Sequence, residues 1–282
     1  MYLSCLLIDT GDNPDRPRPG RTWLRNLYHV HQRLCMAFPC ASQKSDDPDF
    51  LTPFTLGHFA RNHVHVKREA DHGFLYRVDP QPRGGVVILV QSGSAVKPDW
   101  NYAFHNARYL LTAEPEVKEF DPSFTKEQRL RFRLAANPTR RLSKHSLERD
   151  GKPAEAKWIG KRVPVPHDRL LDWLAEWRLR QDGRDEPSGF RIHRDRTTVQ
   201  SGYIYFKKLK EGQESHTEDR TGKERHGGGP RLFSVRYEGI LEVTEPDKFR
   251  NTLLRGIGPG KAFGFGLLSV APCRTSPSTE AL

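Results

Sequence analysis

The segment Asn26-Leu27-Tyr28-His29-Val30-His31-Gln32-Arg33 carries the side chains best suited to moving protons. Tyr28 and His31 are three residues apart, and on an α-helix positions i and i+3 share a face. A phenol and an imidazole on one face supply two proton-transfer or hydrogen-bonding groups. Imidazole titrates near pH ~6.5 when unperturbed, close to working pH. His29 points to another face. A helix with incidental polar residues fits the same spacing, and the residues alone leave both readings open. Metal chemistry has less to build on. His29-x-His31 and His63-x-His65 are the close histidine pairs. Neither has a Cys or carboxylate at a ligand spacing such as HExxH or CxxC. No metal and no small-molecule cofactor is expected.

Cations form a second group. Arg129, Arg131 and Arg133 are followed by Arg140, Arg141 and Lys144, then by Lys157, Lys161 and Arg162. Lys and Arg at this density suit phosphate contact. In LRFRLAANP, Leu130, Phe132 and Leu134 alternate with Arg131 and Arg133. That is the pattern of a half-buried strand with a cationic outer face. A generally basic, solvated surface is the plainer reading. The third group is GIGPGKAFGFG, in which five of the eleven residues 256–266 are glycine. Gly258, Gly260 and Lys261 could form a backbone anion nest with one cation beside it. A tight helix-to-strand connector explains the glycines equally well. The order is neither a Walker loop nor a dinucleotide fingerprint.

These residues need elements to hold them. Residues 1–9 read as a strand. Trp23, Leu27, Val30, Leu34 and Phe38 recur at helical steps, and Pro39 stops the helix. Residues 74–79 and 85–92 read as a β-hairpin. Residues 100–120 are mixed, with one short helix, and 130–138 form the next strand. The first half thus runs β-α-β-β-(α)-β, the ferredoxin-like order, in which helices cover one face of an antiparallel sheet. The second half repeats it. A helix is expected over 167–180, strands over 189–199, 203–209 and 232–244, a short helix over 247–254 capped by Thr244, and a last strand over 267–272. The expected class is therefore α+β, with two tandem ferredoxin-like domains over residues 1–140 and 141–272. A polar, glycine-rich stretch at 211–230 reads as a flexible loop, and 273–282 as a flexible tail.

Composition narrows the partners. The chain has 282 residues with 46 Lys and Arg against 35 Asp and Glu, a formal charge of +11. Such a balance points to a polyanion, most often nucleic acid. No apolar run approaches the ~18 residues of a membrane span, which excludes an integral helical membrane protein. The four cysteines (Cys5, Cys35, Cys40, Cys273) form no CxxC pair. With no secretory signal read at the N-terminus, a reduced cytoplasmic setting is expected.

The run GIGPGKAFGFGLLSVAP resembles the C-terminal signature of the RAMP superfamily of CRISPR proteins. Within that superfamily the chain is similar to the CasE family, the repeat-processing endoribonucleases of type I-E Cascade complexes. The supporting segments come in order: NLYHVHQRL, FLYRVDP, VVILVQS, PDW at 98–100, RFRLAANPTRR, GKRVPVP, LLDWL, and YEGILEVTEPDKFRNTLLRGIGPGKAFGFGLL. The resemblance covers most of residues 1–272 and leaves out 211–230 and the tail. It implies a metal-independent endoribonuclease of antiviral defence. Such an enzyme cuts CRISPR precursor RNA at the base of the repeat hairpin. The products would carry 2′,3′-cyclic phosphate and 5′-OH ends, and the protein would stay on the mature crRNA beside other Cascade subunits. It places the family's catalytic pair on Tyr28 and His31, and an RNA-contacting position on Lys161 or Arg162. Gln32 stands where some relatives carry a basic residue. The rival reading is a non-catalytic RNA-binding RAMP subunit of a CRISPR effector. A tandem RRM-like module is a third, for which AFGFG only partly imitates the required aromatic strand.

Overall fold

The computed structural model describes residues 1–11, 18–38, 73–81, 85–94, 97–143, 159–181, 184–205 and 231–273. The chain divides into two units. The first comprises Met1–Phe120, Tyr203–Leu232 and Ala262–Gly264; the second comprises Asp121–Gly202, Phe233–Lys261 and Phe265–Leu282.

In the first unit β1 (Tyr2–Ile8) leads to α1 (Pro19–Leu24) and α2 (Leu27–Cys35). The hairpin of β2 (Phe74–Pro80) and β3 (Val86–Ser92) follows, then α3 (Trp100–Ala103) and β4 (Glu116–Glu119). The strands pair antiparallel in the order β2-β3-β1-β4. Leu6 and Ile8 of β1, Ile88 and Val90 of β3, and Phe74 and Tyr76 of β2 turn to a core shared with Val30 and Leu34 of α2. The single helix expected over 23–38 is two helices. Arg25 ends α1, and Asn26 begins α2 by accepting a hydrogen bond from the Tyr28 amide at 3.1 Å. An Asn at that position satisfies an amide that the helix cannot reach itself.

The second unit opens with β5 (Arg129–Ala136). A two-stranded ribbon of β6 (Thr139–Arg141) and β7 (Arg162–Pro164) follows, then α4 (Leu170–Ala175) and a second ribbon, β8 (Arg178–Gln181) with β9 (Arg184–Pro187). The rest is β10 (Phe190–Ile192), β11 (Thr198–Tyr205), β12 (Arg231–Val243), α5 (Pro246–Arg255) and β13 (Leu268–Pro272). The main sheet runs β10-β12-β5-β13, with β11 also on β12. With β5, β10, β12 and β13 counted in chain order, both sheets have the order 2-3-1-4. Each unit is thus a ferredoxin-like α+β fold, as the element order predicts.

The expected boundary at residue 140 does not hold. β5 lies in the middle of the second sheet, paired with both β12 and β13. The first unit closes instead with β4, whose Glu-Val-Lys-Glu sequence buries no side chain fully. An edge strand of that kind needs no apolar alternation. The expected helix over 167–180 is also shorter. A 3₁₀ turn at His167–Arg169 precedes α4, and the chain turns into β8 at Arg178. Trp177 keeps the helical apolar rhythm because its ring packs on Trp173, 5.3 Å between centroids. Thr244 does not cap α5. Glu245 is the capping residue, without a side-chain bond, while the amides of Thr244 and Glu245 both donate to Gly189 O. The stretch 189–199 is two strands separated by a turn at Arg194–Arg196. The tail beyond Cys273 and the stretch 211–230 lie outside the described residues.

Candidate active site and nucleic-acid interface

Three anchors fix α2. Asn26 caps its start, and the Asn26 side-chain amide meets His29 Nε2 at 3.0 Å. His29 is therefore part of the cap, and burial lowers its pKa. Val30 and Leu34 are wholly buried. Arg33 is also buried and donates to the Ala103 carbonyl at 3.0 Å, tying α2 to α3. Burial pushes the Arg33 guanidinium down to about 10. Gln32 faces the interior as well, so this position does not present a group to a ligand.

Tyr28 and His31 are the half-buried residues one turn apart on α2. Their ring centroids are 6.4 Å apart. Tyr28 also lies 6.1 Å from Phe263, a residue that the chain returns to the first unit. The His31 ring is walled by Phe74 at 5.5 Å and stacks at 18° on Tyr76 at 6.2 Å. Tyr76 is fully buried, and its hydroxyl lies 2.8 Å from Leu27 O and 3.0 Å from Ala262 O. Burial and then the Cys35 charge hold its pKa well above the phenol value, so it stays a neutral donor. Cys35 Sγ is 3.7 Å from His31 Nε2. The site thus combines one imidazole and one phenol against an apolar wall, a setting for proton transfer at a bound phosphodiester.

The cationic residues fall in the second unit. On β5, Leu130, Phe132 and Leu134 are buried, while Arg129 and Arg131 are exposed and Arg133 is half-buried. The outer face is less cationic than the alternation of β5 alone suggests. Glu238 lies opposite Arg133 and bridges it at 2.9 Å, and it also holds Arg236. Glu242, nearly buried, meets Arg191 at 2.6 Å and His193 and Arg129 at longer range. Arg131, opposite Ile240, has no ion pair among the described residues.

The ribbon β6–β7 gathers four more predicted residues. Arg141 stands directly opposite Arg162, Arg140 opposite Val163, and Lys161 is next in line. Arg141 donates to Gly160 O and Arg162 to Thr139 Oγ1. Two facing arginines repel each other unless an anion joins them. Lys157 lies outside the described residues.

The glycine-rich connector is packed rather than open. Gly258 has φ +84° and a Cβ there would sit 3.2 Å from Trp173; at Gly260, φ +81°, it would meet Phe265 at 2.9 Å. Left-handed backbone and close aromatic rings require glycine at both places. Lys261 donates to Arg255 O at the end of α5, where a cation complements the helix dipole. Burial lowers the Lys261 pKa. Of the two readings of this run, the connector accounts for what the structure contains.

Sequence reasoning missed the walls of the pocket: Phe74, Tyr76, Cys35 and Phe263. Phe74 and Tyr76 alternate along β2 and were detectable as one face of a strand. Cys35 is one helical turn past His31. Phe263 is joined to the pocket only by tertiary folding.

A family pattern described as CRISPR associated protein matches residues 1–272. The chain is similar to the CRISPR-associated endoribonuclease Cse3 of Thermus thermophilus, with 32% identity over 279 residues, 96% of this chain and 100% of the relative. It is also similar to the Cascade subunit CasE of Escherichia coli K12, at 24% identity over 96% of this chain and 100% of the relative. Among solved structures it matches Thermus thermophilus Cse3 bound to an RNA representing a pre-cleavage complex. That match has a TM-score of 0.60 and 26% identity, over 96% of this chain and 98% of the other.

Proposed function

Because the chain belongs to the CasE (Cse3) family of CRISPR-associated endoribonucleases, we propose that it cuts CRISPR repeat RNA at the base of the hairpin and stays on the product as a Cascade subunit. The observation that carries this reading is the Tyr28–His31 pair on one face of α2, set in an aromatic wall.

The substrate supplies the nucleophile. The 2′-oxygen upstream of the scissile phosphate attacks phosphorus, the bond to the 5′-oxygen breaks, and a 2′,3′-cyclic phosphate and a 5′-OH result. One proton leaves the 2′-hydroxyl and one reaches the departing 5′-oxygen. His31 makes one of these transfers, an effect of about 10²–10⁴-fold for a positioned general acid or base. Tyr28 donates or orients, since a phenol is a poor base near neutrality. Lys161 or Arg162 contacts the RNA backbone, the position that the family resemblance implies. The basic ribbon and the outer face of β5 hold the RNA backbone. Arg140 and Arg141 act there with Lys161 and Arg162, and Arg131 and Arg133 act on the sheet. Lys157 belongs with them by sequence. No metal takes part in this scheme. CRISPR transcripts are made in the cytoplasm, and Cys5, Cys35 and Cys273 are free thiols, which suits that compartment. Among the described residues, no helix is long and apolar enough to cross a membrane.

A repeat RNA with one 2′-deoxy nucleotide upstream of the scissile phosphate tests the scheme, in buffer with excess EDTA. It should bind like the unmodified RNA and remain uncut, while the unmodified RNA yields a cyclic phosphate. Cleavage of the deoxy RNA at the normal rate would mean that water or a side chain is the nucleophile.

A further inference from the structure

Phe263 is an aromatic residue that neither hydrophobic core contains. It is half-buried. Its ring lies 6.1 Å from that of Tyr28, tilted by 32°. Tyr28 in turn lies 6.4 Å from His31. Three half-buried rings, His31, Tyr28 and Phe263, therefore follow one another at the site.

The backbone that carries Phe263 is fixed on both sides. Ala262–Gly264 belongs to the first unit, although the chain before and after it belongs to the second. The buried Tyr76 hydroxyl lies 2.8 Å from the carbonyl of Leu27, just before Tyr28, and 3.0 Å from that of Ala262, just before Phe263. One side chain thus ties down the neighbours of both rings. After Phe263, Gly264 has φ +77°, and a Cβ there would sit 3.3 Å from the Tyr76 ring. A left-handed backbone against a close ring favours glycine. An apolar side chain gains by burial. A phenyl ring that a tethered turn keeps outside both cores is instead a preorganised surface.

A phenyl ring has no hydrogen-bond donor or acceptor, but it has a flat face. Unpaired RNA bases stack on such faces, and the stacking tolerates any sequence because every base has a π-face. Tyr28 and His31 act on the scissile phosphate, so a ring beside Tyr28 meets the base of a flanking nucleotide.

We propose that Phe263 is a stacking platform for a nucleobase next to the scissile phosphate. This rests on the reading of Tyr28 and His31 as the reacting pair. A stacked base holds its own ribose. It thereby keeps the attacking 2′-oxygen or the departing 5′-oxygen in line with phosphorus, which is a gain from orientation.

The test measures single-turnover cleavage by the unaltered protein, Phe263→Leu and Phe263→Tyr. Each acts on complete repeat RNA and on RNA made abasic at the nucleotide upstream or downstream of the scissile phosphate. Phe263→Leu should slow cleavage of complete RNA about fivefold to a hundredfold, the worth of one stacked base. Phe263→Tyr keeps the ring and should cleave like the unaltered protein. One of the two abasic RNAs should slow the unaltered protein by a similar factor, and Phe263→Leu should add little to that loss. Which RNA behaves so names the stacked base. A role in packing alone predicts that the losses from Phe263→Leu and from either abasic site multiply. Multiplied losses on both RNAs overturn the proposal, as does normal cleavage of complete RNA by Phe263→Leu. If Phe263→Leu does not fold, Phe263→Met decides by the same criteria. If His31→Ala cleaves normally, the reading of the reacting pair fails. If His31→Ala is inactive while Phe263→Leu cleaves normally, only the platform fails.

Discussion

The pocket on α2 and the basic surfaces of the second unit are built on opposite principles. The site on α2 is a phenol and an imidazole against an apolar wall: Tyr28 and His31 half-buried, with Phe74, Tyr76 and Cys35 behind them. The basic surfaces are charged side chains on strands, exposed to solvent and partly offset by Glu238 and Glu242. A group that moves a proton gains from exclusion of water and a held geometry. A group that holds a phosphate gains from charge and tolerates screening. The difference teaches that chemistry and grip should be separable by mutation.

The largest separation is expected at His31. His31→Ala should slow single-turnover cleavage by about 10²–10⁴-fold while leaving the RNA dissociation constant nearly unchanged. Parallel cleavage and filter-binding assays check this, and an equal loss of binding would make His31 a structural residue.

The next effect belongs to the ribbon. Arg141→Ala with Arg162→Ala removes the facing cations of β6 and β7. Binding should weaken at low salt, and the slope of affinity against salt should fall by up to about two. The rate of the bound complex should change far less. A slope identical to that of the unaltered protein would remove the ribbon from the interface.

Within the sheet the contrast narrows to two neighbours. Arg131 has no ion pair among the described residues, whereas Arg133 is engaged by Glu238. Arg131→Ala should therefore weaken RNA binding more than Arg133→Ala, and Glu238→Gln should strengthen it slightly by removing the carboxylate charge that engages Arg133 and Arg236. Exposed ion pairs contribute only about 0–1 kcal/mol, so these are differences of a few-fold, read by titration at fixed salt. The reverse order would show that Glu238 presents Arg133 to the RNA.

The smallest effect concerns the wall. Tyr76→Phe keeps the ring on His31 and deletes the hydroxyl that reaches Leu27 O and Ala262 O. Loss of one buried hydrogen bond costs about 1 kcal/mol, which lowers the melting temperature by about 2–4 °C for a chain of this size. Calorimetry checks it. A large drop in cleavage without a change in melting would instead give the hydroxyl a role in the reaction.

Sequence patterns proved most informative where one short stretch was enough. The i, i+3 spacing of Tyr28 and His31 predicted a shared helix face, and the alternation in 130–134 predicted which side of β5 is buried. The hairpin of β2 and β3 followed from two β-branched runs around a Pro/Gly connector. Legibility failed where a long-range partner decided the outcome. Nothing in Glu-Val-Lys-Glu at 116–119 marks a strand until β1 pairs with it. The glycines at 256–266 could cradle an anion or pack a turn, and only the rings of Trp173 and Phe265 choose between them.

By itself the sequence determined the doubled β-α-β-β-α-β plan, the sign of the charge and the helix that bears Tyr28 and His31, because hydrophobic period and composition are local properties of the chain. The tertiary structure alone decided that β5 belongs to the second sheet, that Glu238 and Glu242 offset part of the arginine face, and that the His31 ring lies between Phe74, Tyr76 and Cys35. Those depend on strand register and on contacts between residues far apart in the chain, and a one-residue slip in register would have changed every partner.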